Sequence, residues 1–269
     1  MAPHHVLILG GNGKVARLLT PLLLRRSWNV TSVIRSEEQV PAIRGLADQA
    51  GGEGGGAAGK LTVLVRSLEE VKSEGEAKKI LDEAGPDLDY VVWSAGAGGK
   101  GGFERTYAID RDAAIHFIRA SAATPRITRF LMVSYLASRR TKPSWWTDAD
   151  WAAAERLNSQ VLPHYYRAKL AADEVLYQVS KARGPGFVGI NLRPGTLTLE
   201  PAGKVELGRT KRMRGNVSRE SVARVADQLL ASEGVKNSWL DLLDGEEDIE
   251  GAVARVVSEG VDAAEGEAL

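Results

Sequence analysis

Short apolar runs alternate with longer segments of helical periodicity along most of the chain. Seven runs have the length and composition of buried strands, namely 5–9, 30–34, 61–65, 90–95, 129–134, 187–192 and 238–243. Helical patterns lie between them, near 14–26, 37–48, 68–84, 104–123, 164–182 and 218–232. Continuous apolar strands separated by helices are typical of a parallel sheet covered on both faces. The pattern therefore predicts an α/β, doubly wound, mostly parallel Rossmann-type sheet of about seven strands.

The pattern also predicts a single domain, because 269 residues suffice to bury one substantial core. We expect this domain to span 1–244, with substrate-side insertions near 136–163 and 195–220. An acidic segment with one short helix would follow over 245–269. The glycine-rich stretch 49–60 is predicted to be a flexible surface insertion.

The amino-acid composition limits the ligands and the cellular location that we expect for this protein. Lys and Arg (35) balance Asp and Glu (35), so we expect neither nucleic acid nor membrane binding. The chain has no cysteine, and its four histidines lack metal-ligand spacing, so no metal site is expected. The sequence contains no signal-peptide pattern and no apolar run of about 18 residues. We expect a soluble cytoplasmic protein, with the nucleus as an alternative because 204–219 is a basic run.

The sequence VLILGGNGKVARLL reads as a strand, a glycine turn and a helix. Gly10, Gly13 and Ala16 fit the pattern GxxGxxA, while Gly11, Gly13 and Ala16 equally fit GxGxxA. Such a turn lets backbone approach a pyrophosphate, and the helix N-terminus supplies free N–H groups and partial positive charge. The segment therefore predicts a dinucleotide site. Its predicted contacts are Gly10, Gly11, Asn12, Gly13, Lys14 and Val15.

Arg35 and Ser36 end the second strand, where an NAD-specific site would carry an acid for the ribose 2′-hydroxyl. Arginine makes forked, charge-assisted contacts with phosphate. A contact of about 1.5–3 kcal/mol corresponds to a roughly ten- to hundredfold preference. These residues favour NADP over NAD, and the alternative interpretation is a solvated arginine at a strand end.

Tyr165 and Lys169 lie four residues apart in HYYRAKLAADEV, so on a helix they share a face. The apolar side chains that follow continue that face, while Tyr166 lies about 100° away and is predicted to pack. A free tyrosine titrates near pH 10, and a nearby ammonium would favour its phenolate. The pair is thus a candidate for proton transfer.

Taken together, the motifs resemble the atypical short-chain dehydrogenase/reductases. The closest resemblance is to the NAD(P)-binding subgroup described as NAD(P)H-binding oxidoreductases or epimerases, and it spans about Val6 to Val257. The segments that carry it are VLILGGNGKVAR, VVWSAGAGG, ERTYAIDRDAA, RFLMVSYLAS, YYRAKLAADEVL, INLRPGTLT and GNVSRESVARVADQLL. The resemblance implies that Tyr165 exchanges the proton while hydride moves, and that Lys169 also holds the nicotinamide ribose.

The resemblance implies further site residues at the ends of other strands. Ser134, or Tyr135 beside it, takes the place of the catalytic serine, and Asp110 stands where dehydrogenases often carry Asn. The implied cofactor contacts are Ser67, Leu68, Ala95, Gly96, Ala97, Pro194 and Gly195. All of them follow strands, and doubly wound sheets bind ligands at the carboxyl ends of their strands.

Two classes of function fit these residues. The favoured one is an NADP-dependent oxidoreductase for an unknown small carbonyl, alcohol or sugar-nucleotide-like substrate, with an epimerase as a variant of it. The alternative is a non-catalytic NADP(H)-binding redox sensor that offers a surface to a protein partner. The intact pair Tyr165 and Lys169 favours the enzyme, whereas Asp110 favours the sensor. The tryptophan-rich stretch 141–151 either caps a substrate or packs its own insertion against the domain.

Overall fold

The computed structural model describes residues 3–51, 59–98 and 101–269, so most of the predicted glycine-rich insertion lies outside the described residues. The strands are β1 (His5–Leu9), β2 (Asn29–Ile34), β3 (Leu61–Val65), β4 (Tyr90–Trp93), β5 (Arg129–Val133), β6 (Val188–Pro194), β7 (Thr196–Thr198), β8 (Val205–Gly208), β9 (Asn216–Ser218) and β10 (Ser238–Asp244). The helices are α1 (Lys14–Arg25), α2 (Val40–Arg44), α3 (Glu74–Ala84), α4 (Gly102–Thr106), α5 (Ala114–Ala122), α6 (Asp148–Arg156), α7 (Pro163–Arg183), α8 (Arg219–Ala231) and α9 (Ile249–Glu259).

Eight strands form one twisted sheet in the order β3-β2-β1-β4-β5-β6-β10-β8. All neighbours are parallel except β10 and β8, which are antiparallel. The predicted fold class is confirmed, and all seven predicted strands belong to this sheet. The sequence analysis missed the edge strand β8, since its four residues, VELG, are too short and too polar to stand out. It also missed the small parallel pair of β7 and β9.

Apolar helix faces cover both sides of the sheet. Helices α1, α8 and α9 pack on one face, and their buried side chains join those of the strands in one core cluster. Helices α3, α5 and α7 form the corresponding cluster on the other face. This two-sided burial explains why the strands read as unbroken apolar runs. No helix of the described chain has the length and apolar character needed to span a bilayer.

The tryptophan-rich insertion packs against the domain. Trp146 is buried, and its indole N–H donates to the carbonyl of Thr210 at 2.9 Å. A hydroxyl cap from Thr147 begins α6, a helix that the sequence analysis did not predict. The side chains of Trp145 and Trp151 pack with Trp146 in a small core cluster of their own. The structure thus decides between the two interpretations of this stretch in favour of packing.

The basic run 204–219 meets the acidic end of the chain. Arg209 forms an ion pair with Glu265, and Arg212 lies 3.9 Å from the carboxylate of Glu206. Two strands, β8 and β9, also lie within this run. Two of the six basic side chains of this run, those of Arg209 and Arg212, therefore have carboxylate partners among the described residues.

Candidate cofactor and active site

A continuous cleft follows the carboxyl ends of the central strands. The strand order reverses at β1, because β2 and β4 flank it on opposite sides, and this is the position where doubly wound sheets bind ligands. The cleft has two halves that share the lining residues Ser94, Ala95 and Gly96. We call them the adenosine half, which contains Arg35, and the catalytic half, which contains Tyr165 and Lys169.

The glycine turn lies at the junction of the two halves. Gly10 has a φ of +86°, and a Cβ there would lie 2.6 Å from the Cα of Ala95. Gly13 caps α1, and a Cβ on it would approach the carbonyl oxygens of Gly10 and Ser94 at 3.0 and 3.3 Å. Gly11 donates its N–H to Val33 and does not line the cleft. Gly10 and Gly13 thus line the cleft, while a Cβ on Gly11 would lie 1.8 Å from Oγ of Ser32, so both glycine patterns have a structural reason.

The remaining residues predicted around the turn divide between the two halves. Asn12 lines the adenosine half, whereas Lys14 and Val15 line the catalytic half. Ala97 also lines the catalytic half. The division follows from the helix, because α1 begins at Lys14 and carries its first turn away from the adenosine half.

The adenosine half carries exposed positive charge. Arg35 is exposed and lines it beside Ser67 and Leu68, while Ser36 lies outside the lining. Arg66, which the sequence analysis missed, also lines this half and pairs with Glu83 at 2.8 Å. Its position directly after β3 matches that of Arg35 after β2, so the same strand-end argument would have identified it.

Lys169 and Asp110 meet at the floor of the catalytic half. Each is 1% exposed, and the Lys169 Nζ lies 4.0 Å from Oδ1 of Asp110. The ammonium donates to the carbonyl of Val133 at 2.9 Å, and Oδ2 of Asp110 accepts from the N–H of Ala97 at 3.0 Å. Burial raises the pKa of Asp110, against the opposing effect of Lys169. Asp110 lies in a π-helical segment between α4 and α5, a distortion that is frequent at functional sites.

Tyr165 lines the same half as Lys169, as the helical spacing predicted. Burial raises the pKa of its phenol, and the carboxylate of Asp110 adds to the effect. This differs from the expectation that Lys169 would favour the phenolate, and the reason is that the ring is taken out of water while its charged neighbour is an acid. Without a ligand, Tyr165 therefore holds its proton and can act as an acid.

Ser134 is the serine candidate that reaches the cleft. It is 5% exposed, and its Oγ has no hydrogen-bond partner among the described residues. Tyr135 does not line the cleft, because its hydroxyl donates to Asn158 at 3.3 Å and its ring packs 5.4 Å from that of Tyr165. Of the two alternatives, the structure therefore brings Ser134 to the catalytic pair.

Pro194 and Gly195 are placed outside the cleft lining. The N–H of Gly195 donates to Leu242 at 3.0 Å, and a Cβ on it would lie 2.5 Å from the carbonyl oxygen of Gly215. The connection after β6 reaches the cleft two residues later, at Leu197. Sequence reasoning also missed Ser94, Phe103, His164 and Arg219, all of which line the catalytic half.

Comparisons with known proteins agree with this geometry. Residues 10–233 match the family described as NAD(P)H-binding. The chain is 31% identical over 260 residues to a UPF0659 protein of Schizosaccharomyces pombe, covering 94% of this chain and 95% of the relative. It is 28% identical to a Bacillus subtilis protein named as an uncharacterized sugar epimerase, covering 93% and 99%. A Bacillus halodurans structure, provisionally named an NAD-dependent epimerase/dehydratase, superposes with a TM-score of 0.71 at 27% identity, covering 94% and 99%.

Proposed function

This chain belongs to the NAD(P)H-binding family, and we propose that it is an NADP-dependent oxidoreductase of the short-chain dehydrogenase/reductase type. Its substrate would be a small carbonyl or alcohol, or a sugar-nucleotide-like molecule, and the epimerase name of the Bacillus subtilis relative supports the last of these. One observation carries the proposal. A single cleft joins the Gly13 turn and Arg35 to the pair Tyr165 and Lys169.

The residues of the cleft fit a dinucleotide. The turn at Gly13 is closed to any side chain but open to an approaching phosphate, and the first turn of α1 presents its N–H groups there. Arg35 makes no ion pair with a described carboxylate and is available to a 2′-phosphate. The unpartnered Oγ of Ser134 is available to the reacting end of a ligand.

Bound NADPH would supply a hydride to the substrate carbon. The phenol of Tyr165 lines the cleft and would give its proton to the carbonyl oxygen as negative charge develops there. Lys169 has three N–H donors, and one of them is taken by the Val133 carbonyl. The others can hold a ribose hydroxyl, and Asp110 fixes the ammonium from the opposite side.

Cofactor preference tests the adenosine half. NADPH should bind about ten- to hundredfold tighter than NADH, since a charge-assisted phosphate contact contributes about 1.5–3 kcal/mol. Arg35→Ala should remove most of that difference without weakening NADH. Arg44→Ala is the matched control, because Arg44 is exposed at the end of α2 and lies outside the cleft lining. Equal affinity of the wild-type protein for the two cofactors, measured by fluorescence titration, would contradict the NADP assignment.

The turn itself is tested by Gly13→Val. The branched side chain would occupy the space between the turn and Ser94, so NADPH binding should be lost while circular dichroism shows an intact fold. If the variant binds NADPH normally, the cofactor does not use this turn.

A broad panel of carbonyl compounds separates the oxidoreductase from the redox sensor. Tight NADPH binding without turnover of any compound would favour the sensor over the enzyme.

A further inference from the structure

The catalytic half continues beyond Tyr165 into an apolar wall that is open to solvent. Phe103 is 50% exposed and Val161 is 64% exposed, which is unusual for side chains of this size in a folded domain. Leu162 and Leu197 line the same part of the cleft. A wall of this composition would contact the apolar body of a ligand.

Arg219 is a cation that also lines the catalytic half. It is the first residue of α8, and its Nη1 donates to the carbonyls of Leu197 and Thr198 at 3.0 and 2.7 Å. These two bonds hold the guanidinium at the cleft, where it makes no ion pair with any described carboxylate. By contrast, Arg224 in the same helix pairs with Glu220 at 2.7 Å.

Among the cations of the catalytic half, Arg219 is the one that hydrogen bonds hold in place without an ion pair to a described carboxylate. The other cations of this half are Lys14, beside the glycine turn, and Lys169, which contacts Val133 and Asp110. Asp110, the acid in the described lining, is buried and accepts from Ala97. The adjoining groove, which Arg219 also lines, adds Arg17 and the acids Glu200 and Glu220. Lys14 and Arg17 also make no ion pair with a described carboxylate, but of these three cations only Arg219 is held in place by side-chain bonds to backbone carbonyls. Arg219 is therefore the cation of the cleft that is both unpaired and positioned for an anionic group.

We propose that the catalytic half selects a substrate with an apolar body and a carboxylate or phosphate group, and that Arg219 binds this anion. The inference rests on the proposed function, since the ligand is the substrate of the oxidoreductase. Phe103 and Val161 contact the apolar body, while the forked guanidinium donates to two oxygens of the anion. Arg219 is thus a specificity-determining residue, separate from the pair that moves the proton.

Matched acids and esters test this assignment on the protein saturated with NADP⁺, which cannot reduce the keto acids among the probes. The probes are benzoate, phenylglyoxylate, phenylpyruvate and benzyl phosphate, each paired with its methyl ester, and calorimetry measures their dissociation constants. The acids should bind at least about tenfold tighter than their esters, because charge-assisted hydrogen bonds are the stronger class. Arg219→Gln should abolish that preference and leave NADPH affinity unchanged. Arg219→Lys should retain part of it, since the charge remains.

Arg224→Gln is the matched control, because it removes an equal charge from α8 outside the cleft. A merely structural role of Arg219 would weaken acids and esters alike, and this outcome overturns the proposal. Equal binding of acids and esters to the wild-type protein, or absence of acid binding at millimolar concentration, overturns it as well. Failure of NADPH itself to bind would instead remove the proposed function, so the two failures are distinguishable.

Discussion

The domain holds two clusters of buried charge, and they differ in their access to the cleft. The cleft cluster consists of Lys169 and Asp110, whose nearest charged atoms are 4.0 Å apart. The deep cluster consists of Arg139, Arg193, Asp241 and Glu267. In it, the Nη2 of Arg139 donates to Asp241 at 2.6 Å, and neither side chain is exposed.

Carbonyl groups and an aromatic ring also contact the guanidinium groups of the deep cluster. Arg193 donates to the carbonyls of Leu136 and Ser138 at 3.0 and 2.7 Å, and its guanidinium lies 4.0 Å from the ring centroid of Trp239. Arg139 donates to the carbonyl of Ala263 at 2.6 Å, so the cluster also fixes the end of the chain. The pKa of Arg193 is lowered to about 10, mainly by burial and to a smaller extent by the positive charge of Arg139.

The adjacent tyrosines show what this difference means. Tyr165 lines the cleft beside Lys169, whereas the hydroxyl of Tyr166 donates to the carbonyl of Arg139 at 3.0 Å. A buried charge costs several kcal/mol unless its partners satisfy it. The deep cluster meets part of that cost with its 2.6 Å ion pair and its carbonyl contacts, although Nε of Arg139, Nε and Nη1 of Arg193 and Oδ1 of Asp241 are buried without a hydrogen-bond partner among the described residues. Its members lie outside the cleft lining, whereas Lys169 and Asp110 line the cleft. Access to the cleft, and not incomplete pairing, therefore marks the candidate site.

The largest expected effect comes from breaking the deep cluster. Asp241→Ala leaves the guanidinium groups of Arg139 and Arg193 buried without their shared carboxylate. The free energy of unfolding should fall by about 3–5 kcal/mol in urea denaturation. Asp244→Ala, at the exposed end of the same strand, should change it by less than about 0.5 kcal/mol. A similar small loss for both variants would show that the deep cluster does not stabilise the fold.

Exchanging the two tyrosines for phenylalanine sharpens the comparison. With a carbonyl substrate identified from the panel, Tyr165→Phe should lower turnover by about 10²- to 10⁴-fold, with NADPH affinity unchanged, because it removes the proton donor. Tyr166→Phe should leave turnover unchanged and lower the free energy of unfolding by about 0.5–1.5 kcal/mol, the usual contribution of one hydrogen bond. Steady-state kinetics and urea denaturation measure both. A catalytic loss in Tyr166→Phe would reverse the assignment.

The smallest effect concerns Asp173, which lies one helical turn beyond Lys169. It is fully buried, and its Oδ2 accepts from the hydroxyl of Ser138 at 2.7 Å. Burial raises the pKa of Asp173 above its ordinary 3.8, so the folded protein holds this proton at pH values where the unfolded chain has lost it. The free energy of unfolding therefore falls as the pH rises from about 4 to the raised pKa. Asp173→Asn should remove this decrease in pH-dependent urea denaturation.

Asp82→Asn provides the opposite sign as a control. Hydrogen bonds from Lys78 and then Arg126 lower the pKa of the exposed Asp82, so its contribution to stability is lost as the pH falls. Removing this carboxyl should therefore flatten the acid side of the profile. If Asp173→Asn leaves the pH dependence unchanged, burial does not raise the pKa of Asp173.

The sequence by itself determined the sheet, the glycine turn and the shared face of Tyr165 and Lys169. These features depend on local periodicity and on short-range backbone geometry, and residues close together in the sequence determine both. The family resemblance also followed from motifs of this kind. The sequence did not predict strand β8, because a short antiparallel edge strand has little periodicity of its own.

Only the tertiary structure decided which groups from distant segments meet. It packed Gly11 against Ser32, brought Arg66 and Arg219 to the cleft, and buried Trp146 away from it. It also raised the pKa of the Tyr165 phenol, because burial and the carboxylate of Asp110, from a distant segment of the chain, both disfavour the phenolate. Burial and charge depend on residues that are far apart along the chain, so no local pattern of the sequence could specify them.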